Sequence, residues 1–232
     1  MERLDHFLSG AQVASRKELK ALLKAGSVTL NGAVCKDGSQ KIDPARDEVR
    51  FLGQLVEADR RVILLLYKPA GYVTSTDDPR DPTVMELLPP AYRRYAPVPV
   101  GRLDKQTEGL LLLTNDGALA HRLISPKYEV EKEYFAIHEG QTCEEDVRAF
   151  QEGLVLADGT RCKPAVLTPL GPGQSRVVVT EGKYHQVRRM LASRGCPVQY
   201  LRRDREGSLT LAGMEPGQIR ELTPQEALEL DR

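Results

Sequence analysis

An aspartate in a polar loop directly ahead of an apolar strand is the residue of this sequence best placed to do chemistry: Asp104 in Gly101-Arg102-Leu103-Asp104-Lys105-Gln106-Thr107-Glu108-Gly109. An ionised carboxylate can attack an electrophilic carbon or remove a proton, yet an aspartate in such a loop is by itself more often a turn former or a cap. Its company in chain order sets this one apart. Tyr67-Lys68-Pro69-Ala70-Gly71 precedes it, Glu131-Lys132-Glu133-Tyr134 follows, and Glu181-Gly182-Lys183-Tyr184-His185-Gln186-Val187-Arg188-Arg189-Met190 comes near the end. No Walker A loop, dinucleotide fingerprint, HExxH or GxSxG motif is present, so the chemistries those motifs serve have no anchor. Cys35, Cys143, Cys162 and Cys196 are scattered without CxxC spacing, so neither a zinc site nor a disulfide framework is expected. A glycoside hydrolase would need a second carboxylate as acid; Glu108 is the nearest on offer, and nothing else supports it.

The elements that must hold these groups follow an α+β pattern. Residues 61–67, Arg-Val-Ile-Leu-Leu-Leu-Tyr, read as a buried strand, and residues 110–113, 134–137, 165–167 and 176–180 as further short strands. Helices are expected near residues 118–124, 144–152 and 187–194, with a tight turn at Asn115-Asp116-Gly117. Ahead of this lies a smaller module of two short helices and a hairpin. Ser15-Arg16-Lys17-Glu18 is a capping box that starts a helix with Leu19, Leu22 and Leu23 on its apolar face, and Gly26 is placed to end it. Val28-Thr29-Leu30 then meets Asn31-Gly32, a two-residue hairpin turn that returns the chain through Ala33-Val34-Cys35. The composition turns polar after Pro44, placing a boundary near residue 58, hence domains at 1–57 and 58–232.

With 41% hydrophobic and 28% charged residues the chain supports two cores, and no apolar run nears the ~20 residues of a bilayer span. The start, MERLDHFLSG, lacks the basic-then-apolar order of a secretory signal, so a cytoplasmic protein with no membrane association is expected. Thirty-three basic residues balance 33 acidic ones, but between residues 176 and 205 eight basic residues face two acidic, a local excess of +6 that predicts a phosphate-facing patch.

In order, RLDHFL, SRKELKALLKAG and VTLNG resemble the S4 RNA-binding domain over roughly residues 1–50. That resemblance implies that Arg16, Lys17 and Lys20 contact phosphates, fixing position and not sequence. The Asp104 loop and its companions resemble the motifs of the RsuA-like branch of pseudouridine synthases, and the likeness runs through the whole chain. It implies a mixed, mainly antiparallel sheet with the active cleft across it, no cofactor and no metal. Asp104 becomes the catalytic aspartate, acting on the ribose of a flipped-out uridine by attack at C1′ or by taking a ribose proton; the sequence does not separate these routes. The likeness pairs Arg188 with Asp104, sets Tyr134 against the base and packs Leu201 beside it. Lys183 and Arg189 belong with the basic patch as RNA contacts, while Lys68, Pro69, Gly71 and His185 are read as structural support. Arg102 is a candidate to fill the space an extruded uridine leaves. Three stretches, 71–79, 124–127 and 181–186, look closest to small-subunit members of the branch, favouring a uridine of 16S rRNA in a partly assembled small ribosomal subunit, with the protein as a monomer. A 23S rRNA enzyme of the same branch and a non-catalytic S4-type ribosome-assembly protein are the competing readings; Asp104, Tyr134 and Arg188 together argue against the second.

Overall fold

The structure, a computed structural model, describes every residue except Gln12, Ser15, Ala45, Glu57, Ala58, Asp59 and Arg232, and the backbone alone of Arg16. The Ser15 capping box, the Arg16 side chain and the boundary near residue 58 lie outside the described residues. The chain divides into two compact units, Met1–Arg61 and Val62–Arg232.

In the first unit, β1 (Glu2–Arg3), α1 (Leu4–Gly10), α2 (Arg16–Lys24), β2 (Val28–Leu30), β3 (Ala33–Val34), β4 (Lys41–Ile42), β5 (Val49–Phe51) and β6 (Gln54–Leu55) follow in order. Leu19 and Leu23 of α2 are buried with Leu4, Phe7 and Leu8 of α1 and with Val28, Ile42 and Val49, whereas Lys17, Lys20 and Lys24 are exposed. One apolar stripe per helix is what an amphipathic pair buries. Gly26 (φ 77°) donates its N–H to the Leu23 carbonyl at 3.0 Å and ends α2; Asn31 and Gly32 (φ 49° and 84°) turn β2 into β3. The expected helices and hairpin are therefore present. The polar stretch after Pro44 also carries a second hairpin, β5–β6, which completes a sheet in the order β3-β2-β5-β6. Its turn hides behind Leu52, a non-glycine residue at φ 48°.

The second unit contains β7 (Ile63–Lys68), a 3₁₀ turn at Val84–Leu87, α3 (Pro90–Arg93), β8 (Val98–Val100), β9 (Glu108–Thr114), α4 (Gly117–Ile124), β10 (Lys132–His138), α5 (Glu144–Glu152), β11 (Val166–Gly171), β12 (Gln174–Val179), α6 (Gln186–Ser193), β13 (Val198–Glu206), β14 (Leu209–Thr210), β15 (Ile219–Glu221) and α7 (Pro224–Leu230). These strands form one sheet in the order β11-β12-β10-β13-β9-β7-β15, with β14 beside β13 and β8 beside β9. The sheet is mixed and mostly antiparallel, as expected; β13 and β9 run parallel, with Arg202 opposite Glu108 and Arg203 opposite Gly109. The turn at Asn115-Asp116-Gly117 leads straight into α4, since the Asp116 carboxylate accepts from the Ala118 and Leu119 N–H groups at 3.0 Å.

The period of two explains why residues 62–66 and 110–113 are apolar throughout. Leu65, Leu110 and Leu112 face one core together with Leu119 and Leu123 of α4. Leu64, Leu66, Leu111 and Leu113 face a second core with Val84 and Leu88. A strand covered on both faces has no polar side to show. Beyond the parallel pair, Ala136, Val177 and Leu201 pack under Phe150 of α5 and Met190 and Leu191 of α6.

Candidate active site

The parallel pair is where the two antiparallel halves of the sheet join, and the loop that feeds β9 carries Asp104. Gly109 permits the join: a Cβ there would lie 2.3 Å from the Arg203 carbonyl oxygen and 2.5 Å from its nitrogen, and φ is 114°. Only glycine lets the two backbones come that close.

The loop is held from below and from both sides. Leu103 plugs it into the core beside Val84 and Leu88, and the Thr74 hydroxyl accepts from Leu103 N–H (3.1 Å) while donating to the Leu103 carbonyl (2.8 Å). The fully buried Lys68 ammonium donates to the carbonyls of Pro69 (3.0 Å), Lys105 (3.2 Å) and Thr107 (2.8 Å). Burial pushes its pKa down to about 8, against the opposing pull of Asp104 and Glu108. Gly71 N–H also donates to the Lys105 carbonyl at 2.8 Å. Asp104 is thus half-exposed on a loop whose Leu103, Lys105 and Thr107 carbonyls are each held by a hydrogen bond.

The facing wall is built by residues 181–188. Buried Glu181 accepts from Lys163 N–H (2.9 Å) and from the Gln186 amide (2.8 Å), and Gln186 returns an acceptor to Lys183 N–H (2.9 Å). At the head of α6, His185 adopts a left-handed backbone (φ 48°) and brings Nε2 within 3.4 Å of the Asp104 carboxylate. Two adjoining recesses result. An inner one of about 70 Å³ is lined by Asp104, Tyr134, Leu201, Thr107 and Gln186. An outer one of about 430 Å³ is lined by Arg102, Lys105, Lys183, Tyr184 and His185. Asp104 and Arg102 border both.

The sequence-predicted residues are therefore partly assembled. Asp104, Tyr134, Leu201 and Arg102 share the cleft. The expected Arg188–Asp104 pair is not formed: Arg188 donates to the Thr107 hydroxyl (3.4 Å) and the Val198 carbonyl (3.3 Å), and the basic group 3.4 Å from the Asp104 carboxylate is His185 Nε2. The reason is positional, since Arg188 meets the loop three residues past Asp104, while His185 sits at the helix head beside the carboxylate. The predicted basic patch is largely neutralised by carboxylates from distant parts of the sequence. Arg176 meets Glu133 (3.2 Å), Arg189 meets Asp158 (2.5 Å), Arg194 meets Asp146 (2.6 Å) and Arg205 meets Glu131 (2.9 Å), while Lys183 is held by its neighbour Glu181 (2.8 Å). A charge run in sequence is not a charged surface once the fold adds its counterions. Arg102, by contrast, is exposed and has no hydrogen-bond or ion-pair partner among the described residues.

Sequence reasoning missed Thr74, Thr107 and a buried network behind Tyr134. Arg203 is 2% exposed; its Nε donates to the Leu110 carbonyl (2.8 Å) and its Nη2 lies 3.1 Å from Glu206, which also lies 3.7 Å from Lys132. Arg203 stands opposite Tyr134 across the β10–β13 ladder. Desolvation raises the Tyr134 pKa, opposed by Arg203 and reinforced by Asp104. Alternation along β13 carried a signal, because Leu201 and Arg203 must share a face. Thr74 carried none.

The family model for RNA pseudouridylate synthases matches residues 62–193, and the S4 domain model matches residues 2–49. The chain is 42% identical to the uncharacterized RNA pseudouridine synthase YtzG of Bacillus subtilis (strain 168), over 97% of this chain and 96% of that one. It is 41% identical to ribosomal small subunit pseudouridine synthase A of Yersinia pestis (97% and 96% covered) and 37% identical to that of Escherichia coli K12 (97% of each). A crystal structure of a pseudouridylate synthase superposes with a TM-score of 0.70 at 33% identity, covering 99% of this chain and 100% of the other.

Proposed function

The chain belongs to the RNA pseudouridylate synthase family, and from that premise we propose that it converts one uridine of 16S rRNA to pseudouridine with Asp104 as the catalytic carboxylate. The observation that carries the assignment of Asp104 is its place in the cleft. It is the carboxylate bordering both recesses, with Tyr134 and Leu201 lining the inner one. The inner recess falls far below the few hundred Å³ of a typical small-molecule site, whereas the outer one is within that range. A flipped base in the inner space with its sugar and phosphates in the outer one puts the ribose beside Asp104.

The reaction breaks the bond from C1′ to N1 of uracil, rotates the base and bonds C5 to C1′; the proton lost from C5 is balanced by one gained at the freed N1, with no net redox change. No cofactor is required by that balance. The Asp104 carboxylate acts on the ribose, by attack at C1′ or by taking a ribose proton, and both routes need it ionised. Tyr134 stacks on the detached uracil and, steadied by Arg203, assists proton handling at C5; Leu201 packs the base edge. Arg188 secures the loop through Thr107. Arg102, which has no side-chain partner among the described residues, enters the gap left by the extruded uridine.

The small-subunit target rests on the relatives named for that subunit at 41% and 37% identity over nearly the whole chain. Residues 1–57 form the RNA-holding domain and 58–232 the catalytic one. Phosphate contact rests on Arg16, Lys17, Lys20 and Arg102; Lys183 and Arg189 must first release Glu181 and Asp158. With zero formal net charge, the protein reads its RNA by shape, as a monomer acting in the cytoplasm on a partly assembled small subunit. No helix among the described residues is long and apolar enough to cross a membrane.

Pseudouridine mapping by carbodiimide-stop sequencing in cells lacking the protein tests the reading. One 16S pseudouridine should disappear and return with the wild-type chain but not with Asp104→Asn. Loss of a 23S site instead would overturn the subunit assignment, and restoration by Asp104→Asn would overturn the role of Asp104.

A further inference from the structure

Tyr184 is the most exposed large apolar side chain among the described residues of the second unit, at 76%. It is nonetheless fixed. Its ring stacks on His185 with centroids 3.9 Å apart and planes 15° from parallel. The backbone beneath is clamped by the Glu181–Gln186–Lys183 hydrogen bonds, and His185 reaches Asp104 at 3.4 Å. The pair is therefore a flat aromatic surface that begins at the carboxylate and runs out along the outer recess, which unpartnered Arg102 also lines.

We propose that Tyr184, backed by His185, is a binding subsite for the nucleobase adjacent to the target uridine. The proposal rests on the reading of this cleft as the uridine-isomerising site. When a uridine leaves its stack for the inner recess, its neighbour loses a stacking partner while remaining tethered by one phosphodiester. An exposed aromatic ring at the mouth of the recess offers that neighbour a replacement face. Stacking of this kind accepts any base, so the subsite selects for an unpaired or readily unstacked neighbour and not for its identity. A preformed ring pair loses little freedom on binding, unlike a mobile lysine.

The test compares wild type, Tyr184→Ala, Tyr184→Phe and Tyr184→Trp on a 16S rRNA transcript, reading Kd by filter binding and kcat and KM by pseudouridine formation. Tyr184→Ala is expected to raise Kd and KM about 5- to 150-fold, the range that ~1–3 kcal/mol of base stacking corresponds to, with the loss falling on KM more than on kcat. Phe and Trp, which keep the ring face, should stay within about twofold of wild type. Because the side chain is exposed, the alanine variant should unfold at the wild-type midpoint. Unchanged Kd and KM in Tyr184→Ala would overturn the subsite, and so would a phenylalanine variant as weak as alanine, since the contact would then run through the hydroxyl. A wild-type protein that modifies neither the transcript nor a partly assembled small subunit would sink the reading of the reaction instead, and the Kd series would still decide the subsite.

Discussion

Asp104 owes its placement to residues that need never meet a substrate. Thr74 satisfies both backbone groups of Leu103, and Lys68 gathers three carbonyls around the other side of the loop, so the carboxylate is presented by a preorganised backbone. Asp104→Asn keeps size and shape at a half-exposed site, so pseudouridine formation should fall roughly 10⁴-fold or more with the thermal midpoint unchanged. Residual activity within tenfold of wild type (~1.4 kcal/mol) would move the chemistry elsewhere. Lys68 makes a pH prediction. Its pKa is about 8 when folded against 10.5 for an ordinary lysine, so between those values the unfolded chain binds more protons and stability rises with pH. Below the folded value that gain is lost. Urea unfolding at pH 7.5 and 9.5 should show the wild type gaining up to about 2 kcal/mol over Lys68→Met. Parallel pH profiles in the two proteins would count against a buried, protonated Lys68 at neutral pH.

At the scale of elements, the parallel contact of β9 and β13 joins the sheet and brings Leu201 and Arg203 towards the Asp104 loop. Gly109 is the residue on which that contact depends. Adding one methyl drives a Cβ into the Arg203 backbone at 2.3 Å, where no flexible side chain can yield. Gly109→Ala should therefore cost at least about 3 kcal/mol, beyond the ordinary cost of overpacking, and open the inner recess. Chemical denaturation measures the first effect and loss of kcat the second. A variant of wild-type stability and activity would mean that the two strands can part without consequence. By comparison, the surface pairs that neutralise the basic run from residue 176 to 205 contribute little each. Their effect is to deny that face a strong pull on phosphate.

At the scale of the molecule, two units with separate cores and no net charge bind a polyanion. The first unit's core is centred on Leu4, Leu8, Leu19 and Val28, and the second unit buries its own on both faces of β7 and β9. A fragment of residues 62–232 should thus unfold cooperatively by itself. If Arg16, Lys17 and Lys20 contact phosphates, removing the first unit should lower the slope of log Kd against log salt by about 2 to 3 on the 16S transcript. An unchanged slope would place the electrostatic contacts in the second unit alone.

Local structure and the chemical inventory were legible in residue types and their spacing. The apolar runs specified β7 and β9, because a strand buried on both faces must be apolar at every position. The Asn31-Gly32 turn and the α2 stripe specified the first unit's hairpin and second helix for equally local reasons. The Asp104 loop and its companion motifs were legible as an ordered set. What stands next to what came from the fold. It gave Asp104 a histidine partner and sent Arg188 to Thr107, because helix register and a left-handed residue set those distances. It cancelled the basic run with carboxylates distant in sequence, and it buried Arg203 behind Tyr134. Pairings of this kind depend on which strands become neighbours, a property that residue types at fixed spacing do not carry.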